Sequence, residues 1–145
     1  LRSMDAPGIS FSTTNEQQLK RENFFTVDEQ SRLAILREMS PVGDDLRYIV
    51  ASLKQDKSAQ VRAMAAQRLS FSENYGATQS LIEALTDKDP AVVQVAVDSL
   101  VSLGDSSVIP AMEARLGSSE NSKALIQEAS RRIQSRFTLA ADAMR

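Results

Sequence analysis

Two stretches of this chain, Asp56–Leu69 (DKSAQVRAMAAQRL) and Asp87–Leu100 (DKDPAVVQVAVDSL), repeat one pattern at a fixed offset of 31 residues. The shift sets Asp56 on Asp87, Val61 on Val92, Ala65 on Ala96 and Leu69 on Leu100. It also sets Leu81 on Met112 and Leu85 on Leu116. A spacing of four places Val61, Ala65 and Leu69 on one face of a helix, and Leu81 with Leu85 on one face of a second. A period of this size marks stacked supersecondary units, none of which can bury its apolar face alone.

Turn-like stretches separate the helices within each unit: Ser72-Glu73-Asn74-Tyr75-Gly76 in one and Gly104-Asp105-Ser106-Ser107 in the next. Both carry the Gly, Asn, Asp and Ser that end one helix and cap another. Pro90 and Pro110 fall near first turns, where a missing N–H is harmless. A weaker copy lies upstream. Thr26-Val27-Asp28-Glu29 reads as a capping box before Leu33, Ile35, Leu36 and Met39. Ser40–Gly43 then breaks the chain, and Leu46, Ile49, Val50 and Leu53 supply a second helix. Downstream, Ser118–Ser122 is a turn before Ala124, Leu125, Ala129 and Ile133, with a last partner helix hinted at by Phe137–Met144. The count is three full helix pairs and a partial fourth.

Residues 1–25 differ from the rest, being polar with a short helix expected from Asn15 to Asn23. They read either as a tail or as an arm folded over the first unit, docked through Phe24 and Phe25. The domain expected to carry the repeats is 26–145. Few aromatics (5%) within 42% apolar residues suit closely packed helices rather than a β-sandwich.

The repeats are similar to a known family. DKSAQVRAMAAQRL resembles the first helix of HEAT-like repeats of the phycobilisome-lyase type, and DKDPAVVQVAVDSLVSLGDSSVIPAMEARL is similar over a whole unit. The resemblance covers Thr26–Phe137. It implies an all-α fold, a right-handed α-α superhelix, and a non-catalytic scaffold for protein–protein interaction. The partner implied is another protein or another domain of the same polypeptide. In the family, the Arg after Val pairs with a turn Asp along the stack. Here Arg62 fits that role, with Asp56 or Asp87. The next unit has Val93 at that place, and GSSENSKAL at the third junction has neither residue. The ladder is therefore expected to break after one rung.

Second helices line the concave face in this family. If Leu46, Ile49, Val50 and Leu53 face the core, then Asp44, Tyr48 and Ala51 point away from it. Ser80 and Glu83 are the equivalents in the next unit, then Ala111 and Ala114. Arg47 and Lys54 flank this floor. The candidate partner-binding set is thus Arg47, Tyr48, Ala51, Lys54, Ser80 and Glu83, suited to an extended peptide or a helix. The alternative is that small residues there only permit curvature. Val93, Val95, Val97 and Val101 make their helix apolar on more than one face, as for a helix covered on both sides or a sticky patch.

Chemistry is constrained by what the chain lacks. There is no cysteine and no histidine, so thiolate catalysis, sulfur-ligated metals and the commonest general base are absent. No Ser-x-x-Lys motif and no phosphate-binding glycine loop is present. Asp87-Lys88-Asp89 starts like a calcium loop without the required glycine and glutamate, so Asp89 reads as the N-cap before Pro90. No cofactor is expected. A net charge of −2 disfavours nucleic acid. The apolar stretch around Ala91–Val97 is too short to span a bilayer. The expectation is a soluble and cytoplasmic protein rather than an exported or tethered one, although the start at Leu1 leaves room for processing upstream.

Two other functions stay open. Relatives attach bilin chromophores or accept modified DNA bases, which implies an accessory lyase-like role; no Trp and an acidic pI argue against the DNA version. The last helix carries Lys123, Arg131, Arg132 and Arg136 against Glu120 and Glu128. It reads as a binder of nucleic acid or anionic surfaces, or as a polar capping face.

Overall fold

The computed structural model describes residues 23–104 and 106–144. Among them are seven α-helices and no strand. The helices are α1 (Glu29–Glu38), α2 (Gly43–Gln55), α3 (Ala59–Leu69), α4 (Tyr75–Glu83), α5 (Pro90–Leu103), α6 (Val108–Leu116) and α7 (Glu120–Ala143). Short 3-10 turns cover Phe24–Thr26 and Ala84–Thr86. The part of the expected N-terminal helix before Asn23 lies outside the described residues.

Local chemistry sets most of the helix starts. Ser58, Asn74, Asp89 and Ser119 each cap a helix by accepting a backbone N–H with the side chain. Pro90 occupies the first turn of α5 behind Asp89. α1 corrects one expectation. Its cap is Asp28, which accepts Ser31 N–H at 2.9 Å, whereas the Thr26 hydroxyl donates to Asn23 O at 2.8 Å within the preceding turn. The acid two residues closer to the helix takes the cap. α5 ends at Gly104, whose φ of +72° is the left-handed conformation that favours glycine.

The pairs α1/α2, α3/α4 and α5/α6 stack into two layers, with α1, α3, α5 and α7 in one and α2, α4 and α6 in the other. Polar ties fix their register. Arg68 near the end of α3 donates to Met39 O after α1 at 2.7 Å, and Ser99 Oγ on α5 donates to Ala66 O on α3 at 3.0 Å. The first-layer helices therefore run parallel, one edge gathering their N-termini and the other their C-termini. Between the layers lies one continuous core, including Leu36, Ile49, Ala65, Leu69, Leu81, Val92, Leu100, Met112 and Ile133. This is the all-α helix-pair solenoid expected from the repeat.

Two further features refine the sequence reading. α5 is covered on both sides: Val92, Ala96, Val97, Leu100 and Val101 are buried, with Val93 and Val95 half-buried against the same core. The final segment is not a fourth pair. α7 runs unbroken through Phe137 to Ala143, because no Gly or Pro after Ser119 stops it.

Candidate partner-binding groove

On α2, 100° per residue separates three arcs. Ile49, Ser52 and Leu53 are buried, on a helix that packs chiefly against α3. Leu46 and Val50, one turn apart, are only half-buried. With Arg47, Ala51 and Lys54 they form one wall of a groove against α4. Asn74, Gly76, Gln79, Ser80 and Glu83 form the other wall, and the hollow between encloses about 530 Å³. A smaller adjoining hollow of about 370 Å³ continues past Lys54 and Glu83 toward Asp87.

The groove is apolar along its floor and charged at its ends. Lys54 Nζ lies 3.5 Å from Glu83 Oε2, an ion pair crossing from α2 to α4 with both side chains about half exposed. Arg47 instead pairs along its own helix with Asp44 at 3.0 Å, both largely exposed. Ser80 is buried and donates its hydroxyl to Gly76 O at 2.9 Å, so it shapes the wall rather than offering a free hydroxyl.

Five of the six residues singled out in the sequence thus surround one hollow. Tyr48 does not. It turns away from the groove toward Phe24 and Phe25, with ring centroids 6.3 and 6.4 Å distant. Phe24 is fully buried and meets Phe25 edge-on at 4.9 Å. Leu46 and Val50 pack against the core, as their spacing predicts, and their half-exposed remainder lines the groove. Ala111 and Ala114 on α6 are not part of it. Periodicity identifies the apolar stripe of α2; it does not say which part of that stripe α4 leaves open.

At the N-terminal edge of the first layer, Arg62 donates from Nε and Nη2 to the Asp87 carboxylate at 2.9 and 3.1 Å. Its Nη1 donates to Asp56 O at 2.8 Å. Arg32 repeats this arrangement one unit earlier, with the Asp56 carboxylate at 2.8 and 3.0 Å and Val27 O at 2.7 Å. Each carboxylate also accepts a backbone N–H of its own turn, Ser58 for Asp56 and Asp89 for Asp87. The ladder therefore has a rung before Arg62, correcting the expected single rung. Arg32 escaped the repeat comparison because a shift of 31 sets Ser31, not Arg32, on Arg62.

The third junction is held differently. Arg132 on α7 pairs with Asp98 on α5 at 2.9 Å. Arg136 donates to Val101 O and Ser102 O at 3.0 and 2.6 Å at the end of α5, where Val101 O also accepts the Gly104 N–H. Arg131 pairs with Glu128, which holds the Glu128 carboxyl below the usual carboxylate range and raises Arg131 in return. Among the described residues, no group of three or more Asp or Glu side chains is placed to hold a metal ion, and no helix is long and apolar enough to cross a membrane.

A family model described as HEAT repeats matches residues 46–131, more than half of the chain. The chain belongs to the HEAT-repeat family. Comparison with curated proteins and with solved structures returns no significant match. HEAT repeats generally mediate protein–protein interaction, and proteins built from them are typically non-catalytic scaffolds. The HEAT match begins at Leu46, so it takes in both walls of the groove.

Proposed function

We propose that this protein is a non-catalytic HEAT-repeat scaffold that holds a protein partner in the groove between α2 and α4. The observation carrying this reading is the hollow itself. Leu46, Val50 and Ala51 leave apolar surface open between two second-layer helices, with Arg47, Lys54 and Glu83 around it. An apolar floor with charges at the rim suits a segment that buries a few side chains and is oriented by polar contacts. The occupant is another protein or another domain of the same polypeptide.

The anionic-surface reading has less support. Arg131, Arg132 and Arg136 are engaged within the chain, two of them tying α7 to α5. The chromophore-attachment role implied by the phycobilisome-lyase likeness rests on the repeat units alone, and no feature of the groove favours it.

The test is quantitative affinity capture with wild type, Ala51→Arg and Gln79→Arg, and with Gln60→Arg in the first layer as a control. A guanidinium in the hollow should deplete a specific set of proteins at least tenfold, the equivalent of about 1.4 kcal/mol. Gln60→Arg should retain them. Equal capture by folded groove variants would remove the groove from consideration.

A further inference from the structure

We propose that a hollow between α3 and α5 receives an arginine side chain presented by a protein partner. It lies in the first layer, toward the edge that gathers the helix C-termini, and shares no residue with the α2–α4 groove. The inference is therefore independent of the reading given to that groove.

The repeat itself points to arginine. Met39, Ser70 and Val101 recur at intervals of 31 residues, at or near the ends of α1, α3 and α5. Arg68 of α3 donates to Met39 O at 2.7 Å, and Arg136 of α7 donates to Val101 O at 3.0 Å. Each guanidinium crosses from one first-layer helix to the end of the one before it. The middle member differs. The same shift sets Ser99 on Arg68, and the short Ser99 hydroxyl donates to Ala66 O, one turn before Ser70. Among the described residues, no arginine donates to Ser70 O. Instead a hollow of about 580 Å³ opens between Ser70 and Phe71 of α3 and Val95, Asp98 and Ser102 of α5.

Its walls fit a guanidinium. Phe71 is 68% exposed, and Arg68 already lies over its ring, 5.6 Å from the centroid. The remaining aromatic surface borders the hollow and offers a second guanidinium a place to stack. Asp98 supplies the charge. Arg132 and Gln94 both donate to its Oδ1, at 2.9 and 3.2 Å, so neither bond uses Oδ2. The carbonyl end of α3 adds the negative end of a helix dipole. The two resident arginines are drawn to other acceptors, Arg68 to Met39 O and Arg132 to Oδ1. A lysine suits these walls less well, because its ammonium lacks the planar fork that combines stacking with paired hydrogen bonds.

The test is an NMR titration of the full chain with a blocked Gly-Arg-Gly peptide at concentrations on the order of millimolar. Amide signals of Ser70, Phe71, Val95 and Asp98 should shift together. The citrulline peptide, similar in shape but uncharged, should leave them in place, and the lysine peptide should bind more weakly. Phe71→Ala, at an exposed position, should weaken the arginine peptide about two- to fivefold. Asp98→Asn should weaken it at least as much. Ala51→Arg, in the other layer, should leave the titration unchanged. An equal response to citrulline, no response at the hollow, or full affinity in Phe71→Ala overturns the inference. Shifts scattered over the acidic surface, or a response lost in Ala51→Arg, would place the peptide elsewhere and overturn it too.

Discussion

Arg32 and Arg62 each join three pieces of chain with one guanidinium: their own helix, the carbonyl of the turn before it and the carboxylate of the turn one unit ahead. Both arginines are almost fully buried, so each charge depends on its partner. Removing one member of such a pair strands the other. Arg62→Met should therefore cost about 3–5 kcal/mol in urea unfolding, and Arg62→Met with Asp87→Asn should cost less than the sum of the two single changes. Asp28 gives a milder effect with a defined sign. Hydrogen bonding from Ser31 holds its carboxyl below the usual carboxylate range. A lowered folded pKa means that the cap is fully present above the unfolded value and is lost as pH falls through the folded one. An NMR titration should place the Asp28 midpoint below that of an unfolded reference peptide, and Ser31→Ala should raise it. The Arg62 role was legible because it recurs in a motif. Arg32 was not, since one residue of slippage in the first unit is enough to hide it.

Helices are where the sequence spoke most clearly and where its limits are easiest to locate. A spacing of four in Val61, Ala65 and Leu69 specifies a buried stripe, and all three are fully buried. Truncating the equivalent Leu100, also fully buried, should cost about 2–5 kcal/mol by leaving a cavity. At the end of the same helix, Gly104→Ala should destabilise by about 1–2 kcal/mol, because its φ of +72° is unfavourable for a side chain and the new Cβ would lie 3.2 Å from Arg136 Nη1. Thermal unfolding of both variants checks these values. On α2 the same periodicity was right about the stripe and silent about how far it is covered. Leu46 and Val50 belong to the apolar stripe by spacing, but cover comes from a neighbour, and the separation of α4 is set by packing elsewhere in the stack. The groove was therefore only half legible: its polar residues could be named, while its floor depended on a tertiary gap.

Across the whole molecule, stability accumulates between neighbouring units rather than around a single centre. Local opening should follow that geometry. α7 extends beyond its packed residues Ala129 and Ile133, leaving Phe137 and Leu139 more than half exposed. Native-state hydrogen exchange should show residues 137–143 opening with little protection, while the buried positions of α5 approach the global limit. α5 also occupies a special mechanical position. The turn leading into it is held to the preceding unit by Arg62 at one edge, and its far end is held to α7 by Arg136 at the other. A displacement of α7 is thus delivered to α5 at the end opposite its own fastening. The helix is loaded like a crossbar pinned at opposite corners, so the two halves of the stack tend to wrench about it rather than hinge open along one side.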